Sequence, residues 1–387
     1  MALAILILGA IGHVILWVAL INRSHALGIK RIWVDLLTLL CVAALPLVPI
    51  AVLAAIYYQF GHQTAVTRFA AVAAWTYLTL CAGFCLISVV QRWYLSRHPE
   101  RDAALLANHT SHMELDHDPA PLTAPGFPTL LCRLPGNQVL NVRLQEKQVV
   151  LSRLPSALDG LRIAHLTDLH MSGRITRAFF DQVVDKVNAA NVDLVAITGD
   201  IVEGDKFLDW LSPTLGRLES RFGAYYVLGN HDRRATETQL RAALADAGVT
   251  NVGSSWRQVT IRNTPLILAG NELPWFKPAA DMSDCSSEGP TGRPPRILLA
   301  HSPDQFKWAQ ANDFDLMLAG HLHGGQVRLP LLGAITSPSI HGVRYAAGLF
   351  TAGNTVMHVS RGVGSLTPLR FSCPPEIAML VLRSQMR

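Results

Sequence analysis

The chain has 387 residues, of which half are apolar and 16% charged, with a mean hydropathy of +0.27. That balance is too apolar for a wholly soluble protein and too hydrophobic for a disordered one. A net charge of +5 over this length, without a Lys/Arg block, excludes an extended nucleic-acid footprint, and no nucleic-acid partner is expected.

The apolar surplus lies at the front. Runs at 3–21, 33–58 and 69–90 are each about long enough to cross a ~30 Å hydrocarbon core as a helix. No basic stretch precedes the first run and no small-residue cleavage site follows it, so a signal peptide is not expected. Residues 1–98 are read as a membrane domain of three transmembrane helices. His13 in the first run is read as tolerated structure. Arg23, Lys30 and Arg31 fall between the first two runs, and Arg92, Arg97 and Arg101 follow the third, whereas Arg68 stands alone between the second and third. The positive-inside rule then predicts a multi-pass inner-membrane protein whose remaining portion is cytoplasmic.

Residues 99–128 carry five prolines and no apolar period, which predicts a flexible linker. A globular domain is expected over 129–387, large enough for one core. Six cysteines, three of them in the apolar runs, form no disulfide pattern.

Within 129–387 a short apolar run repeatedly ends in a polar cluster. "LRIAHLTDLH" ends at Asp168 and His170, "VDLVAITGD" at Asp200, "AYYVLGNHD" at Asn230, His231 and Asp232, "RILLAHSPD" at His301, and "FDLMLAGHLHGG" at His321 and His323. Strands of a mixed sheet share a carboxyl edge where side chains distant in sequence converge. Asp and His suit Zn, Mn or Fe, and a carboxylate has two oxygens with which to bridge two ions. Arg361, in "SRGVG", is a candidate phosphate clamp because a guanidinium matches two phosphate oxygens. Trp275 and Phe276, in "NELPWFKP", are candidates for an active-site rim, an interfacial contact or a buried turn.

The series D-x-H, GD, GNHD, H and GHxH resembles the calcineurin-like metallophosphoesterase superfamily across roughly residues 160–326, and "GHLHGGQVRLP" and "SRGVGSLTPLRFSCPPEI" are similar to its bacterial membrane-associated phosphodiesterase-like branch. The resemblance implies an α/β (α+β) domain built as a four-layer αββα sandwich. It implies two divalent ions, Mn, Zn or Fe: Asp168, His170 and His323 on one, Asn230, His301 and His321 on the other, and Asp200 between them. It makes His231 the phosphate-facing catalytic residue, with Asp232 orienting it. Two such ions activate a shared water and neutralise phosphate oxygens during in-line attack. The expected function is a membrane-anchored phosphoesterase that cleaves a phosphodiester or pyrophosphate bond by attack of a bridging hydroxide, on a membrane lipid or lipid-linked substrate. A phosphomonoesterase acting on proteins or small molecules is the alternative, and a non-catalytic membrane scaffold is disfavoured because no ligand of the series is missing.

Overall fold

The computed structural model describes residues 1–62, 64–96, 101–113, 121–285, 292–330 and 332–385; of the expected linker, residues 99–100 and 114–120 lie outside them. The chain divides into two compact units. The first contains α1 (Ala2–His25), α2 (Arg31–Gly61) and α3 (Ala65–Ser96), all three long and apolar enough to cross a membrane. They outrun the apolar stretches in the sequence because flanking polar residues continue the helices. Small residues let α1 approach α3 closely: a Cβ on Gly12 would lie 1.8 Å from the Cys81 carbonyl oxygen. His13, buried, joins all three helices, with Nδ1 2.6 Å from Tyr77 Oη and Nε2 3.1 Å from Leu45 O.

The second unit runs β1 (Leu105–His112), α4 (Phe127–Cys132), β2 (Arg143–Leu151), β3 (Arg162–Leu166), α5 (Arg177–Ala189), β4 (Leu194–Thr198), α6 (Leu211–Leu215), β5 (Ala224–Val227), α7 (Glu237–Asp246) and β6 (Val249–Asn251). It continues through β7 (Trp256–Ile261), β8 (Thr264–Asn271), β9 (Arg296–Ala300), α8 (Phe306–Ala311), β10 (Leu316–Ala319), β11 (Arg328–Leu329), β12 (Gly333–Ala334), β13 (Gly348–Ala352), β14 (Thr355–Val359) and β15 (Glu376–Ser384). The segment 99–128 is therefore not a linker throughout. β1 pairs antiparallel with β2, from Leu105 opposite Val149 to His112 opposite Arg143, so the unit includes residues well before 129. An edge strand needs ladder partners on one side only, and this one is mostly exposed, so it lacks the apolar alternation that would betray it.

A seven-stranded sheet, ordered β1-β2-β15-β3-β4-β5-β6, faces a six-stranded sheet, ordered β13-β14-β10-β9-β8-β7. Leu194, Ala196 and Val227 of the first meet Leu268, Leu299 and Leu318 of the second in one buried cluster. The outer face of the larger sheet is covered by α5, α6 and α7 through Phe180, Leu211 and Leu240, and that of the smaller by α8 through Phe306 and Ala309. These are the four layers of an αββα sandwich. Strands such as "LVAIT" and "LMLA" are apolar throughout because both faces are covered. β3, β4 and β5 run parallel, as do β8, β9 and β10, so each sheet has a shared carboxyl edge.

One polar chain crosses the apolar interior. Lys147 on β2 pairs with Glu376 on β15 and stands 3.0 Å from His358 Nε2 on β14; His358 Nδ1 lies 2.9 Å from His165 Nδ1 on β3, and His165 Nε2 lies 2.8 Å from Thr198 Oγ1. All are buried, so each is matched to a partner rather than left bare in a low-dielectric core.

Candidate metal centre

The residues at the five strand ends converge. Asp168 and His170 follow β3, Asp200 follows β4, Asn230 and His231 follow β5, His301 follows β9, and His321 and His323 follow β10. Three overlapping donor groups result: Asp168 with His170 and His323, His170 with Asp200 and His231, and Asp200 with His301 and His321. Asp200 stands between the sets, Oδ2 being 3.6 Å from His170 Nε2 and 3.2 Å from His301 Nε2. On one side His170 Nε2 is 2.9 Å from His323 Nε2, and His323 Nε2 is 3.4 Å from Asp168 Oδ1. On the other, His301 Nε2 is 3.2 Å from both Asn230 Oδ1 and His321 Nδ1.

These spacings test whether a metal fits. Ligands at ~2.1 Å from an ion lie ~3.0 Å apart along an octahedral edge and ~3.4 Å along a tetrahedral one. The donors therefore sit at the separations of a coordination shell, and imidazole, carboxylate and amide oxygen together suit a borderline divalent ion. The residues fit the group.

The local backbone explains how side chains so close together arise. Asp168, His170, Asp200, His321 and His323 all have positive φ, between 48° and 71°, a region that non-glycine residues seldom adopt. β3, β4 and β10 thus each lead into left-handed residues that carry their donors. Close approach also demands glycine: a Cβ on Gly320 would lie 2.0 Å from Thr167 Oγ1 and 2.5 Å from Asp168 Oδ2.

Burial and neighbouring charge set the protonation. Burial, reinforced by His231, pushes His170 down to about 3, and burial also drives His323 well below the ordinary histidine range. Burial raises Asp168. Burial alone would raise Asp200 too, yet His301, His231 and His170 hold it well below the usual carboxylate range. Burial opposes protonation of His301, but Asp200 lifts it to about 9.

Three observations lie beyond the motif reading. First, Glu203 organises the first donor group: Oε1 lies 2.6 Å from His170 Nδ1 and 2.7 Å from His231 Nδ1, and Arg234 pairs with Oε2. Its signal was only "GDIVEGD", an acid three residues past Asp200. Second, Asp232 does not orient the His231 ring. Its carboxylate is taken up by backbone N–H groups of Ile201, Val202 and Gly229 at 2.8, 3.0 and 2.8 Å, because it is fully buried beneath the loop. Third, buried Arg370 places Nη2 3.1 Å from His323 Nδ1 while donating to Gly364 O, Arg361 O and Ser365 Oγ.

Arg361 follows β14 and lies against the GHxH turn, where a Cβ on Gly324 would be 3.0 Å from its Cγ. Its buried Nε makes no hydrogen bond. Trp275 is partly buried beside the second donor group, its ring 4.8 Å from His321 and 5.5 Å from His301, whereas Phe276 packs under Arg241.

The calcineurin-like phosphoesterase family matches residues 161–325. The chain is 30% identical over 256 residues to the uncharacterised metallophosphoesterase YkuE of Bacillus subtilis, covering 63% of this chain and 86% of that one. It is 33% identical over 230 residues to the phosphodiesterase YaeI of Escherichia coli, covering 57% and 82%. The UDP-2,3-diacylglucosamine pyrophosphatase LpxG of Chlamydia trachomatis is 26% identical over 280 residues, covering 58% and 84%. With the motif-bearing core matched and two relatives aligned over more than four-fifths of their length, the chain belongs to the calcineurin-like phosphoesterases, metal-dependent hydrolases of phosphoric esters.

Proposed function

We propose that the chain is a membrane-anchored phosphodiesterase or pyrophosphatase that uses two divalent ions and acts on a lipid or lipid-linked phosphoester. The observation that carries this is Asp200: one buried carboxylate within 3.6 Å of a donor from each group, as a bridging ligand must be. Asp168, His170 and His323 would hold the first ion, and Asn230, His301 and His321 the second. Ions bound there would supply Lewis acidity toward phosphate oxygens and an activated water.

The chain's own residues do the rest. Arg361 directs its unpartnered Nε toward a phosphate oxygen and orients the group for in-line displacement. His231, whose Nδ1 faces Glu203 Oε1, gives a proton to the departing oxygen. Trp275, at the edge of the second group, shields the histidines from bulk water.

Two features support the substrate class. Three apolar helices precede the catalytic unit, which favours a substrate resident in the bilayer. Two relatives are, by name, a phosphodiesterase and a UDP-2,3-diacylglucosamine pyrophosphatase. A cytoplasmic catalytic unit is supported by the basic residues between α1 and α2 and after α3, against the single Arg68 between α2 and α3.

The test is turnover by full-length protein in detergent with Mn²⁺. Faster hydrolysis of bis(p-nitrophenyl) phosphate than of the monoester is expected, together with cleavage in a mass-spectrometric screen of phospholipids and nucleotide-linked lipids. A monoester preference would establish the phosphatase reading instead.

A further inference from the structure

Trp275 and Phe276 are neighbours on the turn after β8, yet they take different places. Phe276 packs against the apolar core, with the Arg241 guanidinium 5.7 Å from its ring centroid. Trp275 belongs to no apolar cluster among the described residues and stays partly exposed. Its ring centroid lies 4.8 Å from that of His321 and 5.5 Å from that of His301, and neither imidazole stacks on it, since the planes cross at 58° and 63°.

The turn that carries this indole is fixed from two sides, and both anchors lead to the second donor group. Glu272 is fully buried; its Oε1 accepts from Leu228 N at 2.7 Å, just before Asn230, and its Oε2 accepts from Arg241 Nη2 at 2.7 Å. Gln305 Nε2, just past His301, donates to Leu273 O at 3.2 Å. Within the turn, Glu272 O accepts from Trp275 N and Phe276 N, each at 3.1 Å, and Asn271 Oδ1 accepts from Leu273 N at 2.9 Å. The approach of Glu272 demands glycine opposite, because a Cβ on Gly253 would collide with its carboxylate. An indole held this firmly beside the donor histidines, with part of its surface open, is a preorganised wall for a ligand.

Its place relative to the proposed acid indicates which part of a substrate it meets. His231 lies against the first donor group, its ring centroid 4.7 Å from that of His170, whereas Trp275 lies against the second. In phosphodiester hydrolysis the oxygen of water bonds to phosphorus, the bond from phosphorus to the departing oxygen breaks, and that oxygen takes its proton from His231. The second organic group stays on phosphorus. With the departing group at His231, the wall beside the other donor group faces the group that stays.

We propose, resting on the phosphodiesterase reading above, that Trp275 determines specificity by stacking on the substituent that phosphorus retains, and that this substituent is a planar ring. A flat unsaturated ring meets the indole in offset or edge-on contact, which is worth more than the same apolar area in a saturated ring. A monoester retains no organic group and leaves the wall uncovered, so the same residue favours diesters.

The test uses full-length protein in detergent with Mn²⁺ and two diesters, phenyl p-nitrophenyl phosphate and cyclohexyl p-nitrophenyl phosphate, which share a leaving group and differ in the retained ring. The ratio of their kcat/KM values cancels any general loss of activity or metal, and so reports contact with the retained group. Relative to wild type, the phenyl-over-cyclohexyl ratio should fall about three- to tenfold in Trp275→Leu and stay within about twofold in Trp275→Phe, which keeps an aromatic face. Calorimetry gives a readout without turnover: phenyl phosphate, the product that keeps the ring, should bind wild type more tightly than cyclohexyl phosphate, and Trp275→Leu should lose the difference. An unchanged ratio in Trp275→Leu, with both diesters still cleaved, would overturn the proposal and spare the phosphodiesterase reading. Equal falls in the two variants, or equal product affinities in wild type, would also overturn it. A wild type that cleaves neither diester would overturn both together.

Discussion

Glu203 Oε1 lies 2.7 Å from His231 Nδ1, so a carboxylate three residues beyond Asp200 stands against the ring proposed to protonate the leaving group. The same oxygen lies 2.6 Å from His170 Nδ1, which ties one proposed metal ligand and the proposed acid to a single charge. Replacing Glu203 by Gln should lower kcat roughly 10–100-fold with little change in KM. The loss should be larger for esters with poorer leaving groups, because those depend most on proton donation. Steady-state kinetics over a series of aryl phosphodiesters checks this; a loss independent of leaving-group pKa would remove Glu203 from the proton path.

His231 and Asp232 are neighbours with different work. Asp232→Ala would strip three buried backbone N–H groups of their acceptor, each worth about 1–3 kcal/mol, so the α/β unit should lose several degrees of Tm. His231→Ala, at a partly exposed position, should melt normally and keep its metal while losing turnover. Thermal melts paired with metal analysis separate the two outcomes, and equal stability of both variants would contradict the loop-tying role of Asp232.

Acid should weaken the sandwich through its buried polar chain. Burial, with Lys147, holds His358 down to about 4 from an ordinary 6.5, and burial holds His165 well below as well. Between pH ~6.5 and ~4 the unfolded chain binds protons that the folded chain refuses, so stability falls as pH drops through that window, by about 3 kcal/mol for His358 alone. Lys147 keeps Glu376 well below the ordinary carboxylate range despite its burial, which adds a further loss below ~4.5. Urea unfolding in detergent, with chelator present, should show a lower midpoint at pH 5 than at pH 7.5. His358→Gln should flatten the dependence, and an unchanged midpoint would refute it.

Arg361→Ala should raise KM or lower kcat/KM by at least about tenfold without altering metal content, since a guanidinium that contacts the phosphate contributes to binding and orientation and not to coordination. Loss of metal in this variant would instead make Arg361 a support for the GHxH turn.

Much of the site is visible in the sequence because its donors sit at the ends of apolar strands, and a parallel strand must end before a side chain can leave the core. Asp168, Asp200, His301 and His321 carry that signature. Glu203 does not, because it lies in a loop with no period and gains meaning only from what it touches. The family resemblance makes Asp232 a partner of His231, but the buried carboxylate accepts from the backbone instead. The buried set of Lys147, His165, His358 and Glu376 comes from four strands of two sheets and leaves no local trace. β1 escaped notice because an exposed edge strand carries no apolar code.

The central claim is that two ions share Asp200 and that His321 and His323 serve different ones. The most direct measurement is metal content by mass spectrometry, with electron paramagnetic resonance of the Mn²⁺-loaded full-length protein. Wild type should bind two equivalents and show a spin-coupled pair. His321→Ala and His323→Ala should each keep one uncoupled ion in distinguishable environments, and Asp200→Asn should lose the coupling. A single equivalent in wild type, or the same surviving ion in both histidine variants, would contradict the account.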